Sequence, residues 1–318
     1  EQRELTLALD VRADLERVLT DVRAAVGDWR AMRGKVAEIL AELERNPPDL
    51  PADELEEARA FLRWIDDDHY TFLGYREYEF AAGGDAGGDV TSLSIRPGSG
   101  LGILRDDAVQ VFGGLRNFEK LPPEVRLYLR QSRLLTITKS NQRATVHRAV
   151  PMDTIGVKRF DERGRMVGER LFVGLLTSVA YSRSPREIPL LRRKVENCLA
   201  HAGFDPASHD GKALLHILET YPRDELFQMS EEELFDTALG VLHLQERQRI
   251  ALFVRRDPFE RFVSCMVYIP RDRYTTELRQ RIQSILERAW NGQVTTFYTQ
   301  MTDAPLGRLH VIVATTPG

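Results

Sequence analysis

The chain has 318 residues, 42% hydrophobic and 29% charged, a globular balance that argues against disorder and, at this length, for two or three domains with separate cores. A formal net charge of −4 and a pI near 6.1 supply no basic field for nucleic acid, and no apolar run reaches the ~18 residues that a membrane span needs. Cys198 and Cys265 sit far apart among apolar neighbours, as buried thiols in a reducing cytosol would. The charged start, Glu1-Gln2-Arg3-Glu4, lacks a signal-peptide pattern, and the missing initiator Met points to a piece of something longer.

The chain opens on its most regular pattern. Leu15, Val18, Val22, Ala25, Trp29, Met32, Val36, Ile39 and Leu43 alternate spacings of three and four, a heptad seam that predicts one long helix with a narrow apolar stripe. Gly27 and Gly34 fall opposite the seam, where they cost propensity without spoiling packing. At ~1.5 Å per residue the helix is roughly 50 Å long, more than one small core covers. The seam, with Leu15, Val22, Trp29, Val36 and Leu43 as its markers, is therefore the candidate assembly surface. Asn46-Pro47-Pro48-Asp49 stops the helix, and a second one from about Ala52, with Leu55, Ala58, Leu62 and Ile65 on one face, closes an antiparallel hairpin over residues 1–68.

Tyr70–Phe80 is rich in aromatics and reads as a strand. Residues 81–89 hold four glycines and read as a loop. Short apolar runs follow at Leu101–Leu104, Val109–Phe112, Leu134–Thr138, Thr145–His147 and Ile155–Phe160. The last meets a tight turn at Asp161–Gly164, and a run from Met166 to Ala180 comes next. Residues 69–181 thus read as one antiparallel sheet domain with a short helix near 122–130.

The pattern turns helical over residues 182–248. Ser184-Pro185-Arg186-Glu187 opens a helix with Ile188, Leu191, Val195, Cys198 and Leu199 inward and Gly203 at its end. Ser230 and Glu233 form a capping box ahead of a helix that buries Leu234, Phe235, Ala238, Val241 and Leu242. Residues 249–318 read strand (Ile250–Val254), strand (Phe262–Ile269), helix (Thr276–Trp290), strand (Thr295–Met301) and strand (Leu309–Ala314), a small α+β sandwich. The fold class is α+β.

Catalytic motifs are scarce. Gly98-Ser99-Gly100-Leu101-Gly102 precedes a strand-like run rather than a helix, so it reads as a turn and not as a dinucleotide loop. The sequence holds neither a P-loop nor a Gly-x-Ser-x-Gly elbow. Asp66-Asp67-Asp68-His69 presents metal-ligand types, but successive side chains diverge, and a solvated helix end with His69 anchoring the turn is the favoured reading. His201, His209 and His216 read as surface or capping residues. Two basic clusters, Arg183/Arg186/Arg192/Arg193/Lys194 and Arg255/Arg256/Arg261/Arg271/Arg273, read as solvated faces or contacts to acidic partner domains, although guanidinium groups also have the chemistry to bind a carboxylate. The better candidate is the loop from Pro270 to Thr276, where Arg271, Asp272, Arg273, Tyr274 and Thr275 lead into a helix N-terminus.

Longer strings carry more information. Phe61–Tyr78, Gly156–Phe160 followed by Gly168-Glu169-Arg170, Tyr181–Val195, Ser208–Phe227 and Tyr268–Tyr274 resemble, in order, the N-terminal regulatory half of the large bacterial NAD-specific glutamate dehydrogenases. The resemblance implies a cytoplasmic homotetramer that converts L-glutamate to 2-oxoglutarate with NAD, its dehydrogenase domain lying C-terminal to these residues. It implies a PAS-like module over 69–181 and an ACT-like module over 249–318, although the strand-strand-helix-strand-strand order of the latter departs from the usual βαββαβ. No catalytic residue is carried over, and no cofactor or metal is assigned to these residues; NAD belongs to the whole enzyme. The implied partners are the chain's own dehydrogenase domain, other protomers and an amino-acid effector. Two roles stay open, an effector-binding regulatory region and a purely structural oligomerisation scaffold.

Overall fold

In the computed structural model, which describes residues 2–82, 90–111, 133–246, 249–302 and 304–316, the first helix, α1 (Gln2–Arg45), extends without a break to the two prolines that end it. The described residues form two compact units: one reaches Arg183 and includes Ile188–Leu190, and the other holds Ser184–Glu187 and the residues from Leu191 onward.

In the first unit, α1 buries Ala25, Met32, Val36, Ile39 and Leu43. Leu15 and Trp29 remain 57% and 42% exposed, and Val22 is half-buried. The seam is therefore not one continuous free surface, since Val36 and Leu43 are spent inside the chain. Trp29 yields its inward place to Asp28, because a straight helix drifts against a strict heptad. Asp28 is buried and accepts from the Gly102 amide at 2.8 Å and from Arg105 at 2.6 Å. Burial alone would raise its pKa, but these hydrogen bonds hold it below the usual carboxylate range. Gly102 itself has φ +61°, and a Cβ there would stand 2.1 Å from the Leu73 carbonyl oxygen, so only glycine fits this tie.

Helix α2 (Ala52–Trp64) buries Leu55, Ala58, Phe61 and Leu62 and lies against α1, with Arg63 paired to Glu44 at 2.9 Å. The chain then turns through Asp68, at φ +56°. His69 anchors that turn: its Nδ1 lies 2.9 Å from the Trp64 carbonyl and its ring stacks on Trp64. Among the described residues six strands follow: β1 (Tyr70–Ala82), β2 (Val90–Ile95), β3 (Leu101–Gly102), β4 (Leu135–Arg143), β5 (Pro151–Phe160) and β6 (Met166–Leu176). They form an antiparallel sheet of order β2-β1-β6-β5-β4, with the short β3 also on β1.

Several details differ from the sequence expectation. β2 is an additional strand, and β6 stops at Leu176 before a short helix α3 (Ser178–Ser182). The run Thr145–His147 is not a strand, and His147 takes φ +71°. Val109–Val111 is irregular, and side chains take its carbonyls in place of a ladder: buried Arg76 donates to that of Val109 at 2.8 Å and Ser140 to that of Val111 at 2.7 Å. The expected helix near 122–130, most of the glycine-rich loop and Phe112 lie outside the described residues.

In the second unit, Pro185–Glu187 is a single 3-10 turn and α4 (Leu191–Ala202) begins after it. The helix expected from Ser184 is delayed because Pro189 has no amide and Leu190 sits at φ +69°. Gly203, at φ +65°, ends α4. Helices α5 (His209–Thr220), α6 (Arg223–Gln228) and α7 (Glu231–Glu246) follow. The capping box is present at the start of α7: the Ser230 amide donates to Glu233 at 2.7 Å, and the Glu233 amide to the Ser230 hydroxyl at 3.1 Å.

The last strands are β7 (Ala251–Arg256), β8 (Phe262–Pro270), β9 (Gln293–Gln300) and β10 (Leu306–Ala314), with α8 (Thr276–Trp290) between β8 and β9. Their antiparallel order is β7-β8-β10-β9. Val263, Cys265, Val267, Ile269, Leu309, Val311 and Val313 pack under Leu286, Ile282 and Trp290 of α8. Cys198 and Cys265 are buried free thiols, and burial pushes both pKa values up to about 11, so neither is a ready nucleophile near neutrality.

Candidate functional site

Side chains alternate along β8. The odd-numbered set lies under α8, so Ser264, Met266 and Tyr268 look to the other face, which also holds His310 of β10 and Arg255 of β7. The Arg255 guanidinium makes a bidentate pair with Glu225 of α6, Nε to Oε2 at 2.8 Å and Nη2 to Oε1 at 2.9 Å. Both side chains are at most 5% exposed. Burial by itself would neutralise Glu225, but the Arg255 charge holds its pKa below the usual range. His310 places Nε2 2.8 Å from the Ser264 hydroxyl and 3.6 Å from Glu225 Oε1. Burial lowers the pKa of that imidazole.

Serine, histidine and glutamate together invite a hydrolase reading, and the geometry rejects it. A triad needs the serine on one ring nitrogen and the carboxylate on the other, whereas here both meet Nε2. Ser264 is also 2% exposed, out of reach of a substrate. The cluster fastens the helical segment to the sheet.

A cavity of about 200 Å³ opens beside it, lined by Tyr221, Glu225, Met229, Glu233, Asp236, Thr237, Phe253, Val254, Arg255, Ser264 and Met266. These residues come from α6, α7, β7, β8 and the turns before and after α6. An open groove of about 510 Å³ lies between α8 and β9.

The loop singled out by sequence is not part of either concavity. Arg271, Asp272 and Arg273 form an exposed 3-10 turn, and Arg271 Nη1 donates to the Thr302 carbonyl at 3.0 Å. Tyr274 Oη lies 3.3 Å from Thr299 Oγ1. Thr275 caps α8, accepting from the Leu278 amide at 3.1 Å, so the chain satisfies its own helix terminus. Much of the two basic clusters is likewise engaged internally. Arg261 is fully buried against Asp257, Arg256 lies over Trp290, and Lys194 donates to the carbonyls of Leu226, Phe227 and Met229.

Several other flagged residues have structural roles. Asp66 pairs with Arg33 at 2.7 Å, His201 stacks on Phe235, and Gly98 and Gly102 hold the turn at positive φ. Among the described residues no group of His, Cys, Asp or Glu is arranged to hold a metal ion, and no helix is long and apolar enough to cross a membrane.

In the first unit, Lys158 and Glu169 are cross-strand neighbours on β5 and β6. Burial pushes the Lys158 ammonium down to about 8 and the Glu169 carboxyl up to about 7. Between its ordinary 4.5 and about 7, Glu169 binds more proton in the folded chain than in the unfolded one. Its contribution to stability therefore falls as pH rises through that window. Thermal melts of the chain and of Glu169→Gln should show the unsubstituted chain losing ground to the variant from pH 4.5 to 7. Parallel profiles would refute the shift.

Residues 188–247 match the family model described as glutamate dehydrogenase, helical motif 1, and residues 251–318 the one described as glutamate dehydrogenase, ACT2 domain. A relative from Halomonas elongata is 41% identical over 306 residues, 96% of this chain and 18% of its own length. One from Pseudomonas aeruginosa is 36% identical over 304 residues, 94% of this chain and 18% of its own. One from Mycobacterium tuberculosis is 32% identical over 308 residues, 96% and 17% respectively. All three are named NAD-specific glutamate dehydrogenase. The chain spans less than a fifth of the relatives it matches.

Proposed function

We infer that this chain, a segment of the NAD-specific glutamate dehydrogenase family by its relatives and its two matched modules, is a non-catalytic regulatory and assembly region of such an enzyme. In this reading β1–β6 form a PAS-like module and β7–β10 with α8 an ACT-like one. The whole enzyme oxidises L-glutamate with NAD and water to 2-oxoglutarate, ammonia and NADH. NAD binds in a dehydrogenase domain outside these residues, and the polypeptide works as a cytoplasmic homotetramer.

The observation that carries the reading is the buried bidentate pair Glu225–Arg255. It joins the helical motif to the ACT2 sheet through a contact that tolerates little slack, so that a ligand or a protomer contact on one moves the other. A second reading, a scaffold that binds no small molecule, is favoured by the apolar residues Val11, Leu15, Leu19, Val26 and Trp29, which stay exposed on α1.

An activity assay tests the premise. The purified chain should produce no NADH from L-glutamate and NAD, while the full-length enzyme under the same conditions does. Turnover by the purified chain would overturn it.

A further inference from the structure

The sheet β7-β8-β10-β9 is wider than the helix packed on it. Four strands spaced ~4.8 Å apart make a face roughly 19 Å across, and one helix with its side chains covers about 10 Å. Helix α8 lies on β9 and β10 and over the odd-numbered residues of β8, and no described element covers β7 on that side. Leu252 and Val254 stand opposite Val267 and Cys265 in the β7–β8 ladder, so they look to the α8 face. They are 49% and 41% exposed, although their ladder partners are buried. Ile285 adds a wall to this strip. Gln280, Gln283 and Glu287 line the groove on the β9 side of α8, which puts Ile285, itself exposed, on the opposite flank toward β7.

The backbone runs toward this strip. β7 and β10 are each antiparallel to β8 and therefore parallel to one another, about 10 Å apart at two strand spacings. Ala314 of β10 pairs with Phe262 and Arg256 of β7 with Val263, so both strands leave the sheet at the same end. Beyond β10, the Thr315 amide donates to the Arg261 carbonyl at 2.9 Å and its hydroxyl to the Glu260 carbonyl at 2.7 Å. Both carbonyls belong to the turn that joins β7 to β8, which fixes the exit from β10 within reach of β7. A helix that follows β10 and turns in the usual right-handed sense packs on the same face as α8. The strip measures about 20 Å by 10 Å, room for one helix of about 13 residues. That is roughly a quarter of the ~800 Å² per partner that a stable interface between copies buries.

We propose that an amphipathic helix from the segment that follows β10 in the longer polypeptide packs on Leu252, Val254 and Ile285 beside α8. The proposal rests on the reading of this chain as part of a longer enzyme, since it spans less than a fifth of its relatives' length. β7 is then gripped on both faces, by α6 through Arg255 and by the downstream helix through Leu252 and Val254. A displacement of either helix is felt by the other through that one strand.

The test places the photo-reactive residue p-benzoylphenylalanine at Leu252, and separately at Val254, in the full-length enzyme. Irradiation should give an adduct within one polypeptide. Peptide mapping should place its far end within about 30 residues of the end of β10, the reach of a loop and a three- to four-turn helix. An adduct between protomers, an adduct with a distant peptide, or no adduct overturns the proposal. Val254→Cys gives a second readout, with labelling followed at that peptide by mass spectrometry. A maleimide should react at least about tenfold more slowly in the folded enzyme than after unfolding in urea, the protection of a covered site. Equal rates, in a variant that still reduces NAD and so is folded, overturn the proposal as well. Neither result bears on whether these residues catalyse, which the activity assay above decides.

Discussion

Glu225→Gln is expected to destabilise the second unit by about 3–5 kcal/mol, because it strands the Arg255 charge in a buried setting. The guanidinium is 5% exposed and has a bidentate carboxylate as its counter-ion. An amide in that place supplies one acceptor and no charge. Arg255→Met alone should cost a similar amount by stranding Glu225. The double variant Glu225→Gln/Arg255→Met should recover most of the loss, since neither charge then remains to be desolvated. Urea denaturation of the four proteins gives the coupling energy directly. Additive losses would mean that the pair does not act as a unit, and the proposed mechanical link between α6 and the β7–β10 sheet would fail with it.

Val36→Lys should unfold or nearly unfold the first unit, at a cost on the order of 4 kcal/mol or more, while Trp29→Lys should change its stability by less than about 1 kcal/mol. Val36 is 0% exposed, whereas Trp29 is 42% exposed and lies near the guanidinium groups of Arg30 and Arg33. A heptad reading treats the two positions as equivalent, and the structure separates them. Melting temperatures of the two variants decide the matter. Equal losses would restore the continuous seam; an unchanged Val36→Lys protein would remove α1 from the core.

That contrast shows where sequence periodicity stops being informative. The spacing of three and four locates α1 and its general apolar side. The residue that turns inward at Asp28 is chosen by partners more than seventy positions away, Gly102 and Arg105. Local chemistry carried the other successes. The aromatic run starting at Tyr70, the capping box at Ser230 and Glu233, and the helix over Thr276–Trp290 are written in adjacent residues. β2 is harder to read, because Val90, Leu93 and Ile95 are interleaved with serine and threonine directly after a glycine-rich run.

The candidate site was less legible than the fold. Arg271–Thr275 carried the right residue types for an anion, but the turn is exposed and its helix terminus already capped by Thr275. Arg255 and Glu225, thirty residues apart, meet only because strand parity turns Arg255 toward α6. The available clue was a charged residue at an inward position of β7, and its partner was not deducible from spacing.

We propose that these residues sense or transmit and do not catalyse. Thermal unfolding of the chain against a panel of amino acids, 2-oxoglutarate and NAD tests it most directly. The account predicts stabilisation by one amino acid, about 2.7 kcal/mol at a hundred times its dissociation constant, and none by NAD. Stabilisation by NAD, with no response to any amino acid, would contradict it.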